Sequence, residues 1–391
     1  MISVAEALEA IFALVDPLGP ETVPLRQAAG RVLAAPATAA RDQPPFDAAQ
    51  MDGYALRGTD VAKGVALRVI GEAAAGHAFS GTLGPGDAVR IFTGAPVPAG
   101  ADRVVMQEDT DRQGDLMRLK PDADPGPFIR PRGGDFAVGD AVPAGRVLRA
   151  ADIALLASMN VPWVSVVRRP VVAILSTGDE LVMPGEVPRP DQIIASNTFG
   201  LAALVEDAGG IARCLPIVRD TVAAFDQALT LAQGADLIVT SGGASVGDHD
   251  VLARAATDLG LRRAFYKVAM RPGKPLTAGW MRGIPMIGLP GNPVSAMVCG
   301  SIFMQPAIRA LAGHPKRPAR VQAARLGAPL LRNGPRAHYM RGFADADGAV
   351  HAAEKQDSSL QKVLSEADVL IVRPPHDPPR ATGDTVKIVK I

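Results

Sequence analysis

Apolar residues recur at helical spacing over residues 4–15, which predicts an amphipathic helix. A similar stretch at 25–35 predicts a second helix, weakened by Gly30. From about Gly58 to Gly145 the period shortens. Runs of β character at 66–70, 88–92, 103–107 and 116–119 alternate with Gly/Pro turns, as in a separate β-rich domain. Residues 151–159 are helical again, so the β-rich domain reads as an insertion in a split helical one. From 170 to 311 strands and helices alternate. Strands are expected at 171–175, 211–218, 237–240, 265–269, 276–280 and 285–289, and helices at 198–208, 222–232, 251–259 and 294–311. That alternation predicts a doubly wound, mostly parallel α/β domain. After Gly313-His314-Pro315 the chain is β-like to its end, most clearly at 369–372 and 385–389. The expected division is 1–44 with 143–168, 45–142, 169–316 and 317–391.

Composition narrows the function. The chain has 391 residues, 48% hydrophobic and 21% charged, so globular cores are expected. Aromatic residues are 4%, which leaves those cores to Val, Leu, Ile and Ala. A net charge of +1 without a basic block argues against nucleic acid as a partner. The acidic Glu6 and Glu9 argue against a signal peptide, and the longest apolar run, 294–304, is too short to span a bilayer. A cytoplasmic protein with no membrane partner is expected. Cys214 and Cys299 form no metal-spaced pair and read as free thiols.

Three strand ends of the α/β segment carry unusual loops. The first is Ser176-Thr177-Gly178-Asp179-Glu180-Leu181. The second is Thr240-Ser241-Gly242-Gly243-Ala244-Ser245-Val246-Gly247-Asp248-His249-Asp250. Its glycines let backbone N–H groups approach an anion, and Asp248 and Asp250 set carboxylates beside it. Donors next to carboxylates point to a phosphate held with a divalent cation, although a plain strand–helix turn has the same composition. The third loop, Pro290-Gly291-Asn292-Pro293-Val294-Ser295-Ala296, ends at a helix N-terminus, which favours an anion. Asn292-Pro293 is equally an ordinary helix start. In a parallel sheet all three loops open on one edge, where such folds place ligands. Lys267, Arg271 and Lys274 add cations, two of them on the turn Arg271-Pro272-Gly273-Lys274-Pro275. Asp220 lies just past a strand end, where an aspartate commonly caps a helix.

These loops and the basic turn follow Gln50-Met51-Asp52-Gly53-Tyr54-Ala55, Ile91-Phe92-Thr93-Gly94-Ala95 and Arg132-Gly133-Gly134-Asp135 in one fixed order. Together the seven motifs span essentially the whole chain and resemble the molybdopterin molybdenumtransferase family, bacterial MoeA and the E domain of gephyrin. The resemblance implies a reaction in which adenylylated molybdopterin and molybdate, with Mg²⁺, give molybdenum cofactor and AMP. It implies an elongated homodimer whose site lies between the α/β domain of one subunit and the β-domains of the other. It also implies molybdopterin adenylyltransferase and molybdoenzyme apoproteins as partners. Carried over by position, Glu180, Asp220 and Asp250 would stand near phosphates and metal. Asp52, Thr93 and Asp135 would come from the partner subunit, and Lys267 and Arg271 would be catalytic cations. Ser176, Thr177, Gly178, Ser241, Gly242, Gly243, Ser245, Gly247, Asp248, Pro290, Gly291 and Asn292 would contact substrate. Lys274, Ser295 and Arg341 would surround molybdate, a dianion that needs cations and N–H donors.

The chain departs from the family pattern in places. Arg271 stands where lysine is usual, so a planar fork replaces a point charge. Gln50 stands where a small residue is usual. The family commonly has a glycine–serine pair and then a serine pair near the C-terminus. This chain has Asp357 and Ser358, then Lys362 and Val363. Those changes leave open a second reading, a carrier that binds the finished cofactor without transferase activity.

Overall fold

The apolar run at 171–176 forms the centre of a six-stranded sheet in a computed structural model that describes residues 1–61, 65–242 and 259–391. Ile211–Cys214, Val171–Ser176, Leu237–Ser241 and Ile284–Leu289 run parallel in that spatial order. Thr277–Met281 and Leu261–Tyr266 continue the sheet antiparallel. Val172, Ala173, Ile174 and Leu175 have no exposed surface, because helices cover both faces. Leu201 and Val205 of Asn197–Asp207 pack on one face with Val298 and Ile302, and Phe225 and Leu229 of Val222–Leu231 pack on the other. This is the doubly wound, mostly parallel arrangement that the alternating pattern predicts. The expected strand at 211–218 stops at Cys214, although Leu215 still donates to the Ile174 carbonyl and Val218 to that of Ser176.

The last helix, Pro293–Leu311, is long and apolar enough to cross a membrane, but 83% of its apolar window is buried inside the protein, so it is a core helix. It holds a π turn at Gly300–Met304. Pro306 cannot donate to the Ile302 carbonyl, and the ladder widens there.

Two compact units result. The first comprises 1–21, 30–34 and 166–391. It includes a second sheet in the order Met270–Arg271, Ala337–Ala344, Val369–Arg373, Thr385–Lys390 and Val321–Arg325, with Val350–Ala352 on Ala337–Ala344. The other unit comprises 22–29 and 35–165. Its sheet orders Arg103–Met106, Gly53–Leu56, Asp87–Ile91, Ala66–Ala73, Leu116–Leu119 and Thr110–Gln113. Val89, Ile91 and Val104 fill one face and Leu56, Leu67 and Met117 the other.

This division differs from the expected four domains. Helix Val4–Phe12 opens on a capping box between Ser3 and Glu6 and buries Ala7, Leu8 and Ile11 in the α/β core. Helix Ala150–Ser158 belongs to the other unit. The C-terminal β segment stays with the α/β part, because Met270–Arg271 is itself a strand of its sheet. The helix expected at 25–35 is a short 3₁₀ turn, Leu25–Gln27, and Gly30 at φ +77° turns the chain away.

Candidate functional site

Ser176 pairs with Ser241, and Ser241 with Leu289, in one register across three parallel strands. The three loops therefore leave the sheet at one level of its carboxyl edge. The Thr177 amide donates to the Ser241 carbonyl at 3.1 Å. Gly242 has φ +91°, and a Cβ there would lie 2.6 Å from the Thr177 carbonyl oxygen. A Cβ on Gly291 would lie 3.4 Å from the Gly242 Cα. The loops touch backbone to backbone, and only glycine fits at 242. Beside this contact the Thr177 hydroxyl is buried and has no hydrogen-bond partner among the described residues. Leaving such a group unmet costs roughly 1–3 kcal/mol, so it is poised for a ligand.

Asn197, first residue of its helix, gives one amide proton to Ser241 Oγ at 2.9 Å and the other to the Gly291 carbonyl at 2.7 Å. Ser176 Oγ and Thr198 Oγ1 lie 2.6 Å apart. Glu180 folds over Gly178, its Oε2 2.5 Å from where a Cβ would sit. Asp220 belongs to the same edge, because Val218 donates to Ser176 and accepts from Gly178. Asp179 accepts from the Asp220 amide at 3.2 Å and from Arg219 at 2.9 Å. Gly243, Ser245, Gly247, Asp248, Asp250 and the helix expected from 251 lie outside the described residues. Among the described residues no group of three His, Cys, Asp or Glu is placed to hold a metal ion.

The basic turn is not a free hairpin. Met270–Arg271 pairs with Ala337 and His338, and a Cβ on Gly273, at φ +106°, would lie 2.3 Å from Cys299 Sγ. Lys267 sits at φ +70° with its ammonium 4.5 Å from the centre of the Tyr266 ring. Arg271 and Lys274 are exposed. Opposite Arg271 on the neighbouring strand, burial and the cations Arg271, Arg373, Arg341 and Arg336 push His338 down to about 4, so it is neutral at pH 7.

Two of the expected anion-binding groups have partners within the protein. The start of helix Pro293–Leu311 is not a row of free donors, because the Ser358 carbonyl accepts from the Val294 amide at 3.1 Å. Ser358 Oγ also accepts from Asn292 Nδ2 at 2.9 Å, and Ser295 is buried. Arg341, placed at the oxyanion by resemblance, is 1% exposed. Its guanidinium bonds Gln356 Oε1 and the carbonyls of Leu360 and Lys355 at 3.3–3.4 Å, holding the 355–360 segment in place.

In the other unit, Asp52 accepts from the Thr93 hydroxyl at 2.6 Å and its amide at 2.8 Å. Those bonds, with the charge of Arg90, hold the Asp52 carboxyl below its usual range. Arg90 lies over the Tyr54 and Phe92 rings and donates to the Gly53 carbonyl at 3.0 Å, steadying the chain next to Asp52. Asp135 is exposed on a loop whose amide donates to Gln43 at 2.9 Å.

Sequence reasoning passed over Asn197 and Thr198, and named Asp179 and Ser358 without giving either a role. The polar triplet Ser196-Asn197-Thr198 at a helix start was a usable signal.

Comparison with known proteins follows the same geometry. Residues 2–160 match the MoeA N-terminal region (domain I and II), 173–310 a probable molybdopterin binding domain, and 323–391 the MoeA C-terminal region (domain IV). The chain is 38% identical to the molybdopterin molybdenumtransferase of Nostoc sp., over 100% of this chain and 94% of that protein. It is 34% identical to that of Haemophilus influenzae, over 95% and 94%. A molybdopterin biosynthesis MoeA protein from Pyrococcus horikoshii superposes with a TM-score of 0.85 at 30% identity, covering 100% of this chain and 99% of the other.

Proposed function

The chain belongs to the MoeA family and acts in molybdenum cofactor biosynthesis as a transferase, and from that premise we propose that it inserts molybdenum from molybdate into adenylylated molybdopterin, releasing AMP. The observation that carries this reading is the meeting of three loops at one sheet edge beside an unmet Thr177 hydroxyl. Thr177, Ser241 and the glycine backbones would receive the substrate. Lys274 and Lys267, with Arg271, would supply the positive charge that a molybdate dianion needs, while Arg341 would act through the segment it holds.

Glu180 and Asp220 flank the loops with hard oxygen donors, a set that suits Mg²⁺ together with phosphate oxygens. Asp250 would complete that set. Mg²⁺, when bound, would neutralise charge developing on the pyrophosphate as AMP leaves. The oxo groups displaced by dithiolene sulfurs leave as water and need protons. Asp52, held ionised by Thr93, is poorly suited to donate one and better suited to accept a proton or hold a charge. In this reading the working species is a cytoplasmic homodimer. Asp52, Thr93 and Asp135 come from a second copy, molybdopterin adenylyltransferase supplies the substrate, and molybdoenzyme apoproteins take the product.

A second reading, a cofactor carrier, draws on the C-terminal departures: Asp357 stands in the segment that Arg341 holds, and Lys362 follows it. A single-turnover assay of AMP release with molybdate and Mg²⁺ separates the two. Stoichiometric AMP is expected; bound cofactor with no AMP would favour the carrier.

A further inference from the structure

The structure assigns Asn197 as a positioning residue that fixes the second and third substrate loops against each other, an inference that rests on the proposed site. Both protons of one side-chain amide are used, one on each loop: 2.9 Å to Ser241 Oγ and 2.7 Å to the Gly291 carbonyl. Those partners bracket the contact at which Gly242 meets Gly291. No backbone ladder makes this link. Strand pairing between Leu237–Ser241 and Ile284–Leu289 ends at Ser241 with Leu289, two residues short of Gly291. Beyond that point Gly242 and Gly291 touch without a backbone hydrogen bond between them among the described residues, and a two-proton donor takes the place of strand pairing. Asn suits this task because its planar amide projects two N–H bonds at a fixed angle. Aspartate has the same shape but offers only acceptors, which would face the Gly291 carbonyl.

Asn197 is itself anchored from behind. Thr198 bonds Ser176 of the first loop, and Ser196 accepts from Gln361 of the C-terminal segment at 2.5 Å. The helix start thus gathers all three loops, with Asn197 as the member that joins the second to the third. The residue is half-buried and lines a cavity of about 740 Å³ beside the Asn197–Asp207 and Pro293–Leu311 helices, outside the packed core.

The test compares Asn197→Asp and Asn197→Ala with the wild-type protein. Binding of adenylylated molybdopterin is read by titration, and exchange of the Ser241, Gly242 and Gly291 amides is read without ligand. Both variants should weaken binding about tenfold and speed exchange at the two loops together, with melting temperature little changed. Combining Asn197→Ala with Ser241→Ala should cost less than the two separate losses added, because the residues act through one bond. Unchanged affinity and exchange in both variants, or strictly additive losses, would overturn the inference. If the wild-type protein fails to bind adenylylated molybdopterin, the function reading falls, and the exchange measurement still decides whether Asn197 couples the loops.

Discussion

At the scale of single residues, the loop edge trades stability for an open bonding position. Thr177 buries a hydroxyl that nothing among the described residues meets. Thr177→Val keeps the shape and removes the unmet group. Its unfolding free energy in urea should stay level or rise by up to about 1 kcal/mol. Its affinity for adenylylated molybdopterin should fall several-fold, since the lost group is the one a ligand would satisfy. A fall in both quantities would show that the hydroxyl has a structural partner. Gly273 makes the opposite case. Its φ of +106° and the 2.3 Å approach to Cys299 Sγ leave no room for a methyl group. Gly273→Ala should destabilise by about 3 kcal/mol in denaturant titration, from overpacking and left-handed backbone together.

Elements carry a different lesson, because their charges meet only across strands. Arg271, His338 and Arg373 lie on one cross-strand rung of the C-terminal sheet, far apart in sequence. Burial and the surrounding arginines lower His338 to about 4 from an ordinary 6.5. Below pH 6.5 the unfolded chain therefore binds a proton that the folded chain refuses. Stability should be full above pH 6.5 and decline as pH falls toward 4. His314, lowered by burial and Arg309, adds to the same decline. His338→Gln should flatten that decline in part, as read from urea midpoints between pH 7 and pH 4. An unaltered slope would mean that His338 takes up its proton without cost.

For the whole molecule, the candidate residues divide between two compact units. Glu180, Asp220, Lys274 and Arg341 lie in one, and Asp52, Thr93 and Asp135 in the other. If one active site draws on two copies of the chain, inactive Asp52→Asn and Glu180→Gln proteins should complement each other. Each mixed dimer keeps one intact site, so random assembly should restore up to about a quarter of wild-type AMP release. Activity no higher than the sum of the separate variants would show that each site uses acids of one chain.

The sequence by itself determined the elements and their order. Unbroken apolar runs such as 171–175 can be buried only between two layers, and strand–helix alternation leaves few topologies. Glycines at 178, 242 and 291 also marked the loops, and at 242 the approach of the Thr177 carbonyl excludes a side chain. Tertiary structure alone decided which donors remain open. Ser358 takes the Val294 amide from 64 residues away, Arg341 binds the 355–360 segment, and Asn197 reaches across two loops. A hydrogen bond between distant segments leaves no period in the sequence, since it depends on where folding brings each group and not on its neighbours along the chain. Packing likewise chose which core covers helix Val4–Phe12, whose apolar face is plain in the sequence but names no partner.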